Sequence, residues 1–188
     1  MKINSDQNNS LSPKWLDWAR EIQAISQTGI HFAENDYQIQ RYSRLMEISA
    51  EILSSYSASR ESELIEIFNQ QVGYATPRID VRGAVFRAGK LLLVREVYEE
   101  SGFEVMARKI IGVYDANRTG PLEIFHAFKI VFLCDILAGE ERTSEETSEV
   151  KFFSQDELPE NLSGERSRPR HLDDAFDSIA HERPTIFD

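Results

Sequence analysis

The first third of the chain carries apolar residues at helical spacing. After Ser12-Pro13, a pair typical of a helix start, four apolar residues recur at intervals of three or four positions. These residues are Trp15, Trp18, Ile22 and Ile25. A second segment of this kind runs from Asp36 to Tyr56, and a third runs from Ser59 to Gln71 and closes at Gly73. The pattern predicts three amphipathic helices, which we assign to a helical region over residues 1–73.

The two tryptophans of the first helix are one helical turn apart and allow two interpretations. They pack in the core of the helical region, or they form a contact between two copies of the chain. The sequence leaves both uses open.

From Thr76 onward the pattern changes to that of strands. Asp80 to Arg87 and Lys90 to Val94 flank Ala88-Gly89, which predicts a hairpin. Further strands are expected over residues 105–114, 124–136 and 150–153, a loop over 117–121, and a last helix over 172–180. Strands placed between helices predict an α/β domain over residues 74–188, with the layers of an α/β/α sandwich.

Charge and composition narrow the class of function. The net charge is −11, from 32 acidic against 21 basic residues, so binding to nucleic acid or to an anionic membrane is disfavoured. A small diphosphate ligand stays possible, because a metal ion and a few arginines can reverse the sign inside a cleft. The single cysteine, Cys134, and the lack of any apolar run of membrane-spanning length favour a cytoplasmic protein.

Three carboxylates lie close together in the segment from Arg95 to Phe103. Glu96, Glu99 and Glu100 are spaced so that a helix would place them on one face, where they repel one another. A hard divalent cation such as Mg²⁺ would relieve that repulsion and could bridge a substrate phosphate. The alternative is a solvated face of a glutamate-rich helix.

The order of residues in this segment resembles the second half of the Nudix box. Arg95-Glu96-Val97-Tyr98-Glu99-Glu100-Ser101-Gly102-Phe103 matches every specified position of Arg-Glu-aliphatic-x-Glu-Glu-x-Gly-apolar. The segments at 79–86, 91–94 and 149–159 also resemble a Nudix domain, and the front third resembles the helical extension of a bacterial subgroup. This resemblance implies a Nudix-like α/β/α sandwich with a mixed sheet, and a homodimer that pairs through the helical extension.

The resemblance also implies an activity and roles for individual residues. Members of the subgroup cleave the pyrophosphate of ADP-ribose or CDP-choline type substrates with Mg²⁺ or Mn²⁺. By resemblance the metal ligands are Glu96, Glu99 and Glu100, and Arg95 orients them. In the family a loop glutamate acts as general base, for which Glu149 is the first choice here and Glu146 the second. Arg82 is expected to contact substrate for a separate reason, because strand alternation directs it to the face opposite Val81 and Gly83.

The first half of the box is absent from this chain. Counting back along the family pattern gives Arg87 where a Glu is expected and Val81 where a Gly is expected. Roughly 25 residues are missing against the pattern. A helix starting after Val94 and ending at Gly102 would have under two turns. Two explanations remain open, a true deletion or a loop that this sequence omits. The alternative function is a catalytically impaired binding or dimerisation protein on the same fold.

Overall fold

The chain folds into two compact units, one ending at Pro77 and the other beginning at Arg78. The computed structural model describes residues 12–94, 97–119, 123–142, 150–158 and 169–188. Within those residues, no helix is both long enough and apolar enough to cross a lipid bilayer.

The first unit consists of three helices. They are α1 (Lys14–His31), α2 (Asp36–Tyr56) and α3 (Glu61–Asn69), as the apolar spacing predicted. The start of α2 is capped, since the Asn35 side chain accepts a hydrogen bond from the Gln38 backbone N–H over 3.0 Å. Ser12-Pro13 predicted Pro13 as the first residue of α1. This was wrong by one position, because Pro13 has extended backbone (ψ 142°) and precedes the helix.

The core of the first unit is built from apolar side chains of all three helices. The buried ones are Leu16, Ala19, Met46, Ala50, Leu53, Leu64 and Phe68. Helices α1 and α2 come close at Gly29, where an added Cβ would lie 2.4 Å from the Tyr42 ring. Close helix approach is therefore possible only because Gly29 has no side chain.

The two tryptophans differ in their environments. Trp15 is half-buried and stacks on Tyr56, with ring centroids 4.5 Å apart. Trp18 is 58% exposed, so the interpretation of both tryptophans as core residues was wrong for Trp18. The second interpretation, a contact between two copies, stays a prediction for Trp18.

The second unit is a five-stranded mixed sheet with helices on both faces. Its elements are β1 (Arg78–Arg87), β2 (Lys90–Val94), α4 (Val97–Ser101), β3 (Phe103–Asp115), α5 (Ala116–Thr119), β4 (Ala127–Gly139), a 3-10 helix (Gln155–Glu157), α6 (Pro169–Ala180) and β5 (Ile186–Phe187). The strand order is β2-β1-β4-β3-β5. The β1–β4 and β3–β5 pairs are parallel, and the other two are antiparallel, which confirms the predicted mixed sheet.

The hairpin forms as predicted, and three other segments differ from expectation. Ala88 and Gly89 both have positive φ, 50° and 76°, as a two-residue hairpin turn requires. The strand expected over 150–153 is only an isolated bridge between Phe153 and Leu91. The loop expected over 117–121 begins instead with α5, and β5 was not foreseen.

Strand alternation divides the core of the second unit between the two faces of the sheet. On the face covered by α6, the buried residues are Ala84, Leu91, Ile111, Tyr114, Val131, Leu133, Leu172, Ala175 and Phe176. On the face covered by α4, they are Val85, Leu92, Phe103 and Cys134, with Val97 packed against them. Helices on both faces confirm the predicted α/β/α sandwich.

Candidate functional site

The carboxylate segment forms the very short helix α4. Its five residues begin three positions after the end of β2, and the two residues between them, 95–96, lie outside the described part of the chain. Glu99 is exposed and Glu100 is half-buried. Ser101 is fully buried, and its hydroxyl donates to the Val97 carbonyl one turn earlier. The helix therefore presents Glu99 outward while its last residue is fixed to the body of the unit.

Gly102 ends α4 and joins it to β3. Its φ is +81°, and its N–H donates to the Tyr98 carbonyl over 2.8 Å, a typical glycine helix end. The Ser101 carbonyl accepts from the Arg142 N–H over 2.9 Å, which ties the helix end to the residues after β4. An added Cβ at Gly102 would lie 2.5 Å from the Glu140 carbonyl oxygen. The position of the two glutamates thus depends on this glycine.

We expect Gly102→Ala to destabilise the second unit by about 2 kcal/mol, because it combines a positive φ with a backbone clash. Urea unfolding followed by far-UV circular dichroism measures the change. Gly89→Ala is the matched control, since Gly89 also has positive φ (+76°) but nothing lies within 4 Å of its added Cβ. Equal losses for the two variants would contradict the role of the clash.

The inner side of α4 packs on an apolar cluster that contains no reactive group. Val97 contacts the cluster around Val85 and Phe103. Phe103 lies under the Arg87 guanidinium, 4.6 Å from its ring centroid. Burial raises the pKa of the Cys134 thiol in the same cluster, so a thiolate nucleophile is disfavoured there. Cys134 is buried on β4.

The described residues supply a partial set of ligands for a cation. Among them, no group of three or more His, Cys, Asp or Glu side chains is placed to hold a metal ion. Glu99 and Glu100 are adjacent on α4 and offer two carboxylates. Mg²⁺ is commonly held by one or two carboxylates together with substrate phosphates and waters, so this donor set fits Mg²⁺ bound jointly with a phosphate substrate. The other expected site residues, Arg95, Glu96 and Glu149, lie outside the described residues.

Arg82 lies on the opposite face of the sheet from α4. It is two positions from Ala84 on β1, and both point to the face that α6 covers. Its guanidinium is buried and donates to Asp80 Oδ2 over 3.1 Å. Its Nε is buried without a hydrogen-bond partner among the described residues. The structure therefore does not bring Arg82 and the α4 carboxylates together on one face.

A buried polar network under α6 was missed from the sequence. The Tyr114 hydroxyl donates to Asp174 Oδ2 over 2.9 Å, and the Tyr114 ring lies 4.4 Å from the His171 ring. Burial, and then the hydrogen bond to Asp174, raise the pKa of Tyr114. Arg170 pairs with Asp188 over 2.7 Å. The one available signal was Arg170 and Asp174 at helical i,i+4 spacing. This network holds α6 and the C-terminus to β3.

Comparison with known proteins identifies both units. Residues 13–68 match a family model described as the UDP-X-like, N-terminal oligomerisation domain. The putative ADP-ribose pyrophosphatase YjhB of Bacillus subtilis (strain 168) is 34% identical over 203 residues, covering 93% of this chain and 97% of that protein. An ADP-ribose pyrophosphatase of Methanocaldococcus jannaschii is 33% identical over 67 residues, 36% of this chain and 38% of the relative.

Solved structures share the fold. A UDP-X diphosphatase structure superposes with a TM-score of 0.55 at 24% identity, covering 93% of this chain and 98% of that one. An ADP-ribose pyrophosphatase from Streptococcus suis 89-1591 gives 0.53 at 27% identity, covering 60% of this chain and 100% of that one.

The alignment with the Bacillus relative is longer than the part of this chain that it includes. It has 203 positions but includes 93% of this chain of 188 residues, which is about 175 residues. About 28 positions therefore contain no residue of this chain, close to the roughly 25 missing from the box. The extent of the similarity, the residue order of α4 and the sandwich fold agree, and this chain belongs to the Nudix hydrolase superfamily.

Proposed function

We propose that this chain is a Mg²⁺-dependent pyrophosphatase that cleaves the diphosphate of a nucleoside diphosphate linked to a second group, of the ADP-ribose or CDP-choline type. The observation that carries the proposal is the similarity to a putative ADP-ribose pyrophosphatase along 97% of that protein's length. The two adjacent carboxylates of α4, fixed by Gly102, agree with it.

In this proposal the carboxylates hold the cation and the diphosphate together. Glu99 and Glu100, with Glu96, would bind Mg²⁺ or Mn²⁺. When bound, the cation offsets the charge of the diphosphate and lowers the pKa of water. Glu99 is exposed, so a substrate can approach it without rearrangement of α4. Two carboxylates leave most positions around the ion to phosphate and water oxygens.

Three further residues complete the proposed site. Arg95 orients the carboxylates through hydrogen bonds, and Glu149 accepts the proton of the attacking water. Arg82 contacts substrate through its buried guanidinium, with its Nε free to donate. Because Arg82 lies on the α6 face, its contact would be to a part of the substrate distant from the α4 carboxylates. Arg82→Lys is expected to raise KM more than it lowers kcat, because Lys keeps the charge and loses the planar fork.

The direct test is hydrolysis of defined diphosphates. We expect Mg²⁺-dependent release of AMP from ADP-ribose, or of CMP from CDP-choline, measured by ion-pair chromatography of the purified chain. A UDP-linked sugar belongs in the panel, because the family model of the helical unit is described as UDP-X-like. If the chain binds these compounds but releases no product from any of the three with Mg²⁺ or Mn²⁺, hydrolysis is overturned in favour of the second candidate.

The second candidate is a binding or dimerisation protein that has lost catalysis. The shortness of α4 favours it, since five residues form under two turns and the first half of the box is absent. Such a protein would bind a nucleoside diphosphate derivative and release no product from it. Isothermal titration with ADP-ribose and Mg²⁺, run beside the hydrolysis assay, separates the two candidates.

We also propose that the chain forms a homodimer through its helical unit. The support is the match to an oligomerisation domain over residues 13–68 and the 58% exposure of Trp18. Sedimentation velocity at micromolar concentration should give twice the mass of 21.6 kDa. A monomer at that concentration would contradict the homodimer and leave the hydrolysis proposal untouched.

A further inference from the structure

An apolar stripe runs along the exposed side of α1. Trp18, Ile25 and Phe32 are separated by seven residues each and are 58%, 51% and 53% exposed. Ile22 and Gly29 lie between them at steps of four and three, the spacing of a coiled-coil seam; Ile22 is half-buried, and the Tyr42 ring of α2 lies against Gly29. We call these five residues the α1 stripe. Three large apolar side chains exposed along one side of a helix indicate a contact surface.

A groove opens beside the C-terminal half of the stripe. It lies between α1 and the start of α2, and its volume is about 740 Å³. Its lining residues are Ala24, Ile25, Thr28, Gly29, Phe32, Glu34, Gln38 and Tyr42. The groove shares Ile25, Gly29 and Phe32 with the α1 stripe, so the two form one surface, and Glu34 is the single charged residue of the lining.

We propose that two copies of the chain pair with their α1 helices antiparallel, about a two-fold axis at Ile25, so that Trp18 of each copy enters the groove of the other. This inference rests on the homodimer proposed above and adds its geometry. In a two-fold interface, residue i contacts j and residue j contacts i. Because Trp18 and Phe32 are each seven residues from Ile25, placing Ile25 on the axis puts every Trp18 opposite a Phe32.

The groove suits an indole. Its walls are apolar at Ile25, Phe32 and Tyr42, and its polar groups Glu34 and Gln38 can accept the indole N–H. A volume of about 740 Å³ leaves ample room for the side chain. Tryptophans that fill a pocket on a partner dominate the binding energy of many interfaces.

The charges at the rim favour the antiparallel arrangement. Lys14 is exposed and lies one turn before Trp18 on the same side of α1. In the antiparallel pair, Trp18 lies at the groove of the other copy, and Lys14, one turn away, lies near Glu34 of that copy. In a parallel pair, Lys14 would face Lys14, Trp18 would face Trp18, and both grooves would be left open. Opposite charges across the rim select the first arrangement.

Disulfide trapping tests the geometry directly. In a Cys134→Ala background, which removes the single native cysteine, Ile25→Cys should give a disulfide-linked dimer under mild oxidation. A mixture of Trp18→Cys and Phe32→Cys chains should cross-link, whereas neither chain alone should. Self-cross-linking of Trp18→Cys would overturn the antiparallel pairing. If neither Ile25→Cys nor the mixture of Trp18→Cys and Phe32→Cys chains cross-links, although the protein sediments as a dimer, then the α1 stripe is not the interface.

Removing the indole measures its contribution. We expect Trp18→Ala to weaken the dimer at least about 30-fold in sedimentation equilibrium, the loss typical of an interface hot spot. Val72→Ala is the control, since Val72 is 77% exposed in the same unit and outside both stripe and groove. A monomeric wild-type chain would refute the homodimer itself. A dimer that Trp18→Ala leaves unchanged would refute only the placement of Trp18 in the groove.

Discussion

Replacing Glu100 by Gln lowers Mg²⁺-dependent release of nucleoside monophosphate at least about 100-fold, by analogy with the loss of single charge-stabilising groups in other sites. The change keeps the shape and helix preference of the side chain and removes its charge. Glu100 is half-buried on a helix whose end is fixed at Gly102, which restricts the positions that its carboxylate can take. Initial rates over a range of Mg²⁺ concentrations measure the loss and show whether excess cation restores part of the rate.

A control variant and a measurement of Mn²⁺ binding test whether the loss comes from the cation site. Glu104→Gln is the matched control, because Glu104 is exposed on β3 and carries no role in the proposed site. Mn²⁺ binding, followed by electron paramagnetic resonance, should weaken in Glu100→Gln and stay unchanged in Glu104→Gln. If Glu100→Gln keeps both its rate and its Mn²⁺ affinity, the carboxylates of α4 form a solvated helix face and hold no cation.

The elements predicted best were those whose boundaries depend on local chemistry. Helix α2 begins after Asn35, whose side chain caps it, and its bounds Asp36–Tyr56 coincide with the apolar repeat. The β1–β2 hairpin follows from Ala88-Gly89, because two positive φ angles are required there. In both cases residues within a few positions determine the outcome, and a reading of local pattern is sufficient.

The elements predicted worst depend on distant partners. The segment at 150–153 has the composition of a strand, yet it makes only a bridge to Leu91, which belongs to the edge strand β2. Strand β5 is two residues long and exists through its pairing with Gly112 and Val113 of β3. Neither outcome is encoded in the neighbouring residues, so the local pattern could not reveal them.

The sequence located the candidate carboxylates but not their surroundings. The order of residues from Arg95 to Phe103 pointed to the carboxylates, and Gly102 as the helix end was visible from its position alone. The location of Arg82 on the α6 face follows from alternation on β1, but the side on which α4 packs is a tertiary property. The exposure of Trp18 was likewise hidden, because helical spacing marks an apolar stripe without saying what covers it.

Restoring the missing half of the box should produce the largest gain in activity. We expect insertion of the corresponding segment of the Bacillus subtilis relative between Val94 and Arg95 to raise kcat/KM at least about 100-fold, because several groups that act together in the transition state return at once. Helix α4 has five residues, and added turns at its start remove the cost of nucleating so short a helix. The family pattern also places a further Glu eight positions before the Arg, where this chain has Arg87.

A Gly-Ser insertion of equal length distinguishes the effect of the inserted side chains from the effect of a longer connection. It lengthens the connection between β2 and α4 without supplying a helix start or a carboxylate, so it should leave kcat/KM within about threefold of the parent chain. A gain with both insertions would mean that the short connection itself restrains α4. If the relative's segment gives no gain while the chain still binds ADP-ribose, the remaining residues of the site no longer support hydrolysis, and the binding role becomes the better account of this protein.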